Sequence, residues 1–491
     1  MMRWFLLFPV CLFVALGTGC VPGDRLHFPE EPTHTQGFET WYDTNRDDTP
    51  DFALTHNDEG QLESLSYDDD QDGQPDRLFH LEDYDRDEVP HLIVLIDSIP
   101  YDALMRSLAQ RPSSVWGAFH RPVKVIAPYP SMSAVCFSDI LHAPPMPGAI
   151  NKHYDPRPQH NGVNNLINKR LGGYRNPWQQ RLHYNIDYSD NSSAWLKPRP
   201  WLKVEFERAR QAFDASPDRT TIVYIATASA MLMKHGQAGL DESLDELERF
   251  LLQIMYERKG AVQISVMSDH GHNLAKTTWI DVEKLLEDTG FRVTDQNKRP
   301  DDVFVEMDGL MTWFGVHTSQ PEAVSEALLA NLPEVETIAF MDGPDILVRN
   351  PGGTARITMD NRRLTYAPQN GDPLDYGDEL SNVSLSRDEW FERTADHLFP
   401  DAPARLWDAF HGQTRNSPQV MVTLRDGYCA GIEWFTWVID PLSTHGGLNQ
   451  VNSAAFLMTT KRPLEGPLRA AETMDAIQPG WVPPIVSPSK E

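Results

Sequence analysis

Cysteine is scarce in this chain: four residues in 491, two of them, Cys11 and Cys20, within the first twenty positions. Beyond those only Cys136 and Cys429 remain, so at most one disulfide can form, and sequence alone does not place the two side by side. Basic residues are also few. Lys and Arg number 43 against 71 Asp and Glu, a net charge of −28, which excludes attraction of nucleic acid by the overall field. An anionic substrate would need local attraction, from a metal ion or a helix N-terminus. A bilayer-spanning run is missing from the start of the chain: Trp4 to Leu16 is apolar but too short. What is plentiful is apolar side chain, 40% with 10% aromatic, enough for a sizeable core, and proline, 38 residues, which points to many loops. The length predicts two or three structural units.

Arg3 ahead of the apolar stretch, and Gly17, Thr18 and Gly19 ahead of Cys20, mark residues 1–19 as a cleavable signal peptide. The arrangement resembles a bacterial lipoprotein signal. That resemblance implies a lipid on Cys20, membrane attachment through it, and a place in the bacterial cell envelope, at the outer membrane facing the periplasm or the exterior. Ordinary cleavage with a free Cys20, or an uncleaved anchor, are the alternatives.

Residues 20–88 form an Asp-rich segment. One element carries Asp43, Asn45 and Asp47, followed by Asp51; the next carries Asp68, Asp70, Asp72 and Gly73, followed by Asp76; a degenerate third covers Asp83 to Asp87. Alternate oxygen side chains with a glycine at the turn suit calcium, a hard cation that takes six to eight oxygens. The second element matches the opening of an EF-hand-like loop but lacks the distant Glu. The alternative is a solvated acidic linker.

From residue 89 the pattern becomes α/β. His91 to Ile96 reads as a buried strand ending at Asp97, and Tyr101 to Gln110 as a helix. Thr220 to Thr227 and Val262 to Ser268 read as further strands, and Gly239 to Lys259 as a helix with Leu240, Leu244, Leu247, Leu251, Ile254 and Met255 on its core face. Alternating strands and helices imply a mostly parallel sheet between helices over residues 89–289. Residues 290–440 read as an inserted α+β subdomain, and 441–491 as the last part of the core and a tail.

Asp97 and Asp269-His270 stand at the carboxyl ends of strands, where open α/β sheets place their ligand sites. His445-Gly446-Gly447 precedes another strand and adds a late metal-ligand candidate. Ser133 stands near the start of a predicted helix, Ala134 to Leu141. There it is either an N-cap or a nucleophile facing backbone N–H groups and the positive dipole end.

Several motifs in order resemble the nucleotide pyrophosphatase/phosphodiesterase family of the alkaline phosphatase superfamily. They are Asp97 after a hydrophobic strand, Pro130-Ser131-Met132-Ser133, Gly148-Ala149-Ile150-Asn151 running to Tyr154-Asp155-Pro156, Asp269-His270-Gly271, and Thr444-His445-Gly446. The resemblance covers about residues 91–285 and 440–460. It implies an alkaline-phosphatase-like fold and a metal-dependent hydrolase of small-molecule phosphate esters, a phosphodiesterase or a phosphatase. It also implies two divalent ions, zinc by analogy. Asp97, Ser133, Asp269 and His270 would serve one ion, and His235 and His445 the other. Ser133 would form a phospho-enzyme, and Asn151 would donate a hydrogen bond to a phosphoryl oxygen. Leaving-group recognition would lie in residues 156–215 and 290–440.

One ligand departs from the pattern. The family has an Asp four residues before the His that precedes Gly, but here position 231 is Met, no ligand for a hard site. Ser229, the nearest oxygen side chain, is a poor substitute. One ion is then in question, and His235 is either a ligand or a helix-end surface histidine. His272 and Asn273 follow the Asp-His-Gly motif without an assigned role. The sulfatase signature Cys/Ser-x-Pro-x-Arg is absent from Ser133 to Phe137. The missing carboxylate keeps a second class in view, a catalytically impaired binding lipoprotein with calcium-rigidified repeats.

Overall fold

The computed structural model describes residues 21–111, 114–157 and 175–486. Cys20 and the signal segment lie outside the described residues, as does part of the 156–215 stretch. Short apolar stretches between the Asp-rich loops fold into a five-stranded antiparallel meander: β1 (His34–Gln36), β2 (Glu39–Tyr42), β3 (Phe52–His56), β4 (Leu62–Tyr67) and β5 (Arg77–His80). The two complete Asp-rich elements, residues 43–51 and 68–76, are hairpin loops of this sheet, and the third follows its last strand, so residues 34–80 are a folded sheet and not an acidic linker. Phe52 and Tyr67 face each other across β3 and β4. Both rings pack against Tyr256 on the long helix Thr227–Arg258, with centroids 5.1 and 5.4 Å away. The Tyr67 hydroxyl donates to the Tyr256 carbonyl at 2.6 Å.

The central sheet has six strands in the order Leu468–Arg469, β7 (Val123–Ile126), Ala454–Thr459, β9 (Gln263–Ser268), β6 (His91–Ile96) and β8 (Thr220–Ile225). β6 runs parallel to both β8 and β9, while Ala454–Thr459 runs antiparallel to its neighbours β9 and β7. The sheet is thus mostly parallel, with one strand reversed. Every residue of β6 is buried, because both faces are covered. Leu92, Val94 and Ile96 join one core with the long helix, the helix Pro198–Ala215 and the N-terminal sheet. Ile93 and Leu95 join another with Phe137, Trp178 and Trp201. That alternation is the period of two of a strand buried on both sides.

Residues 292–424 build a separate nine-stranded sheet with the helices Pro321–Asn331, Arg387–Thr394 and Ala402–Phe410. All its pairings are antiparallel except that of Arg292–Val293 with Asp302–Glu306. Cys136 and Cys429 are both buried and both free.

Phe52 is fully buried at the junction of the N-terminal sheet with the long helix. Replacing it with Ala removes about 3–5 kcal/mol of packing. Native-state protease cleavage within residues 34–80 should then speed up by about a hundredfold or more, since slow cleavage tracks the open population. An unchanged cleavage rate in Phe52→Ala would show that this contact does not hold the sheet down.

Candidate active site

Four segments converge on the carboxyl rim of the central sheet. β6 ends at Ile96 and delivers Asp97; β9 ends at Ser268 and delivers Asp269 and His270. β7 has the same direction as β6, so the chain leaving it at this rim reaches Ser133, the first residue of the helix Ser133–Ile140. The reversed strand Ala454–Thr459 begins at this rim, which is why the loop before it can bring His445 here.

Ser133 is not the N-cap. Met132 occupies that position without a side-chain cap. The Ser133 hydroxyl lies 3.2 Å from His270 Nε2 and 3.4 and 3.5 Å from the two Asp97 oxygens. His270 Nε2 is 3.2 Å from Asp269 Oδ2 and 3.8 Å from Asp97 Oδ1. The His445 ring stacks on His270, 4.1 Å between centroids. Asp97, Ser133, Asp269, His270 and His445 therefore do come together.

Backbone partners fix the two imidazoles. His270 Nδ1 is 2.9 Å from the Gly271 carbonyl and His445 Nδ1 is 3.1 Å from the Ser131 carbonyl. A carbonyl can only accept, so each Nδ1 carries the proton and each Nε2 keeps its lone pair. The carboxylates are tied from behind. Asp97 accepts from Tyr224 and Ser98 side chains, and Asp269 Oδ1 accepts from the Ser98 and His270 backbones, both at 3.0 Å. Ser98 sits at φ +68, a conformation costly for a non-glycine residue. Its backbone N–H and its hydroxyl hold Asp269 and Asp97 at once, and that bridging over-determines the strained turn.

Asp269 Oδ2 is left over. It is buried and has no hydrogen-bond partner among the described residues. Burial pushes Asp269 up to about 7, and burial together with the nearby Asp269 charge pushes Asp97 up to about 7. Burial also holds His270 and His445 below the ordinary histidine value. Two carboxylates that resist ionisation, beside neutral imidazoles with free lone pairs, make a donor set that a divalent cation completes. Oxygens of Asp97 and Asp269 and a nitrogen of His270 lie within 4.8 Å of one another. The residues present fit a metal ion.

His235 does not join them. It lies half-buried on the long helix, where Gly236 breaks the helical dihedrals, among Arg199, Lys234 and Glu242. Arg199 and Glu242 form an exposed ion pair there. Met231 is fully buried in the core. Ser229 does reach the site's edge, with its hydroxyl 3.1 Å from that of Ser98. Asn151 is exposed, next to Ala149 and Ile150, which pack in one cluster with Met132 and Val135.

His272 is the residue that sequence reasoning left unassigned. It is 1% exposed, and its ring centroid lies 5.2 Å from that of His445. Both its ring nitrogens lack a hydrogen-bond partner; the Ser443 backbone is near but makes no well-formed bond. Burial, with His270 nearby, pushes it down to about 3, so it is neutral. A buried imidazole with neither nitrogen satisfied is costly unless something binds it. The available signal was its spacing, two residues after His270 on the same short turn.

No family model and no curated protein matches the chain. Among solved structures it is similar to phosphonoacetate hydrolase from Sinorhizobium meliloti 1021 in complex with phosphonoacetate, at 14% identity, covering 81% of this chain and 95% of that one, with a TM-score of 0.41. It is also similar to murine ectonucleotide pyrophosphatase/phosphodiesterase 5, at 10% identity, covering 79% of this chain and 94% of that one, with a TM-score of 0.43.

Proposed function

We propose that this chain is a metal-dependent hydrolase of phosphate esters, of phosphodiesterase or phosphatase type, with Ser133 as its nucleophile. One observation carries the proposal. The Ser133 hydroxyl opens a helix and lies within 3.5 Å of Asp97 and His270, beside the unpartnered Asp269 Oδ2.

Asp97, Asp269, His270 and the Ser133 oxygen are the residues that would hold the first ion, which we take to be zinc from its oxygen and nitrogen donors. Such an ion lowers the pKa of a bound hydroxyl and offsets charge on phosphoryl oxygens. Ser133 Oγ attacks phosphorus in line with the ester oxygen. The P–O bond to the leaving group breaks, its electron pair goes to the departing alcohol oxygen, and phosphoserine results. The first-turn N–H groups of the helix Ser133–Ile140 face the phosphoryl oxygens, with Asn151 as a further donor. Water then attacks phosphorus on the serine, the P–Oγ bond breaks with its electron pair going to Oγ, and Ser133 is restored as phosphate leaves from a monoester substrate or a phosphate monoester from a diester. Tyr224 and Ser98 keep Asp97 aimed at the hydroxyl throughout.

For a second ion, His445 Nε2 and the unsatisfied His272 are the donors at hand. In this assignment His272 stands in for the carboxylate missing at Met231, and His235 has no part. We also propose that a lipid on Cys20 attaches the protein to the bacterial envelope. Labelled palmitate incorporated into the wild type and lost in Cys20→Ser supports that attachment, and label retained in the variant removes it.

Ser133→Ala should abolish hydrolysis of bis-p-nitrophenyl phosphate and of the monoester, by at least about a thousandfold, with an unchanged circular dichroism spectrum. Activity surviving at a tenth of wild type would remove Ser133 from the chemistry. Wild type inert toward both esters and free of zinc would favour the impaired binding lipoprotein instead. Elemental analysis tests the ion assignment separately. Zinc-saturated wild type should hold two ions per chain, and His272→Ala and His235→Ala should hold one and two. Equal stoichiometry in wild type and His272→Ala would exclude His272 as a ligand.

A further inference from the structure

The two complete Asp-rich loops have the same spacing and occupy equivalent places. Residues 43–51 join β2 to β3, residues 68–76 join β4 to β5, and both open at one end of the N-terminal sheet. Asp43, Asn45, Asp47 and Asp51 correspond in position to Asp68, Asp70, Asp72 and Asp76. Their hydrogen bonding nevertheless differs.

In the first loop the end carboxylates are used up internally. Asp43 Oδ1 accepts from the Arg46 and Asp47 backbones, at 2.6 and 3.2 Å, and Asp43 Oδ2 from that of Asp48 at 2.8 Å. Asp51 receives the Thr44 backbone on one oxygen and the Thr44 hydroxyl on the other, both at 2.7 Å.

In the second loop each carboxylate is held by backbone N–H through one oxygen. Asp68 Oδ2 accepts from Gly73 at 2.8 Å, Asp70 Oδ1 from Asp72 at 3.2 Å, and Asp72 Oδ1 from Gln74 at 2.9 Å. Asp76 Oδ2 accepts from Asp69 and Asp70 at 2.8 and 3.0 Å. The other oxygens are not so engaged, and one of them is decisive. Asp68 is 3% exposed, and its Oδ1 is buried with no hydrogen-bond partner among the described residues. Carboxylate oxygens of Asp68, Asp70 and Asp76 lie within 4.8 Å of one another. A buried carboxylate with one oxygen unpartnered, close to two further carboxylates, is unfavourable without a cation. Gly73, at φ +83, makes the sharp turn that brings the acidic groups together.

We propose that residues 68–76 bind one calcium ion through Asp68, Asp70, Asp72 and Asp76, and that residues 43–51 bind none. Four carboxylates with no nitrogen or sulfur donor suit calcium, whose coordination is irregular and oxygen-rich, over zinc. The ion also bears on the docking of the sheet. Asp68 follows Tyr67, whose ring and hydroxyl engage Tyr256 on the long helix.

Calcium titration of chelator-treated full-length protein, followed by calorimetry and by terbium luminescence, tests the proposal. Wild type and Asp43→Asn/Asp47→Asn should each bind one calcium with affinities within about twofold. Asp70→Asn/Asp76→Asn, whose substitutions are exposed and isosteric, should lose at least about thirtyfold in affinity with the circular dichroism spectrum unchanged. Absence of saturable binding in wild type, two ions per chain, or equal losses from both loops would each overturn it. These readouts do not involve ester hydrolysis, so this proposal and the one for Ser133 stand or fall separately.

Discussion

Two carboxylates taken out of water at the same rim of a sheet set the terms for everything around them. Asp97 and Asp269 are buried, and each raises the cost of ionising the other or bears the full desolvation cost itself. Such a pair is tolerable as neutral acids or as ligands. The Ser98 turn decides between these. It places N–H and O–H donors on both groups, and donors favour the charged forms, while His270 and His445 turn lone pairs and not protons toward the same space. Every preference in the cluster is for a cation, and the strained φ of Ser98 is the local cost of building it.

The sheet's connectivity gives these groups their common location. Parallel strands deliver their following loops to one rim, so Asp97 and Asp269 follow from β6 and β9 lying side by side in register. Ser133 arrives by the same rule from β7. His445 cannot, because it precedes its strand; it reaches the rim because Ala454–Thr459 runs backwards. A single reversed strand thus lets a late segment of the chain contribute from its N-terminal side.

The main-core strands were legible because burial on both faces writes itself as an unbroken apolar run, as in His91 to Ile96. The acids that end them were legible because rim positions are few. Three things were not. The N-terminal meander escaped because its strands are three to six residues long and are dominated in sequence by their Asp-rich loops. The long helix was expected from Gly239, yet it begins at Thr227, because Gly236 hides a helical turn that continues on its other side. His272 escaped because its significance is a matter of what does not bond to it. A sequence lists donors and acceptors but does not say which of them burial leaves unpaired. His235 stands just before Gly236, where the long helix loses its helical dihedrals, and spacing along the sequence does not register that break.

The chain's overall charge makes the local arrangement necessary. At −28 it repels phosphate at long range, and salt screens that repulsion beyond about 8–10 Å. Inside that distance the balance depends on individual groups. A cation held by Asp97, Asp269 and His270, as proposed above, together with the N-terminus of the helix Ser133–Ile140, would turn one small region of an acidic protein attractive to an anion. Replacing a carboxylate by the neutral His272 in the second-ion assignment shifts that region further the same way, by one unit of charge. The same logic, applied without a substrate, separates the two hairpin loops. Acidity is common to both, and only the loop whose oxygens are not already satisfied has a reason to hold an ion.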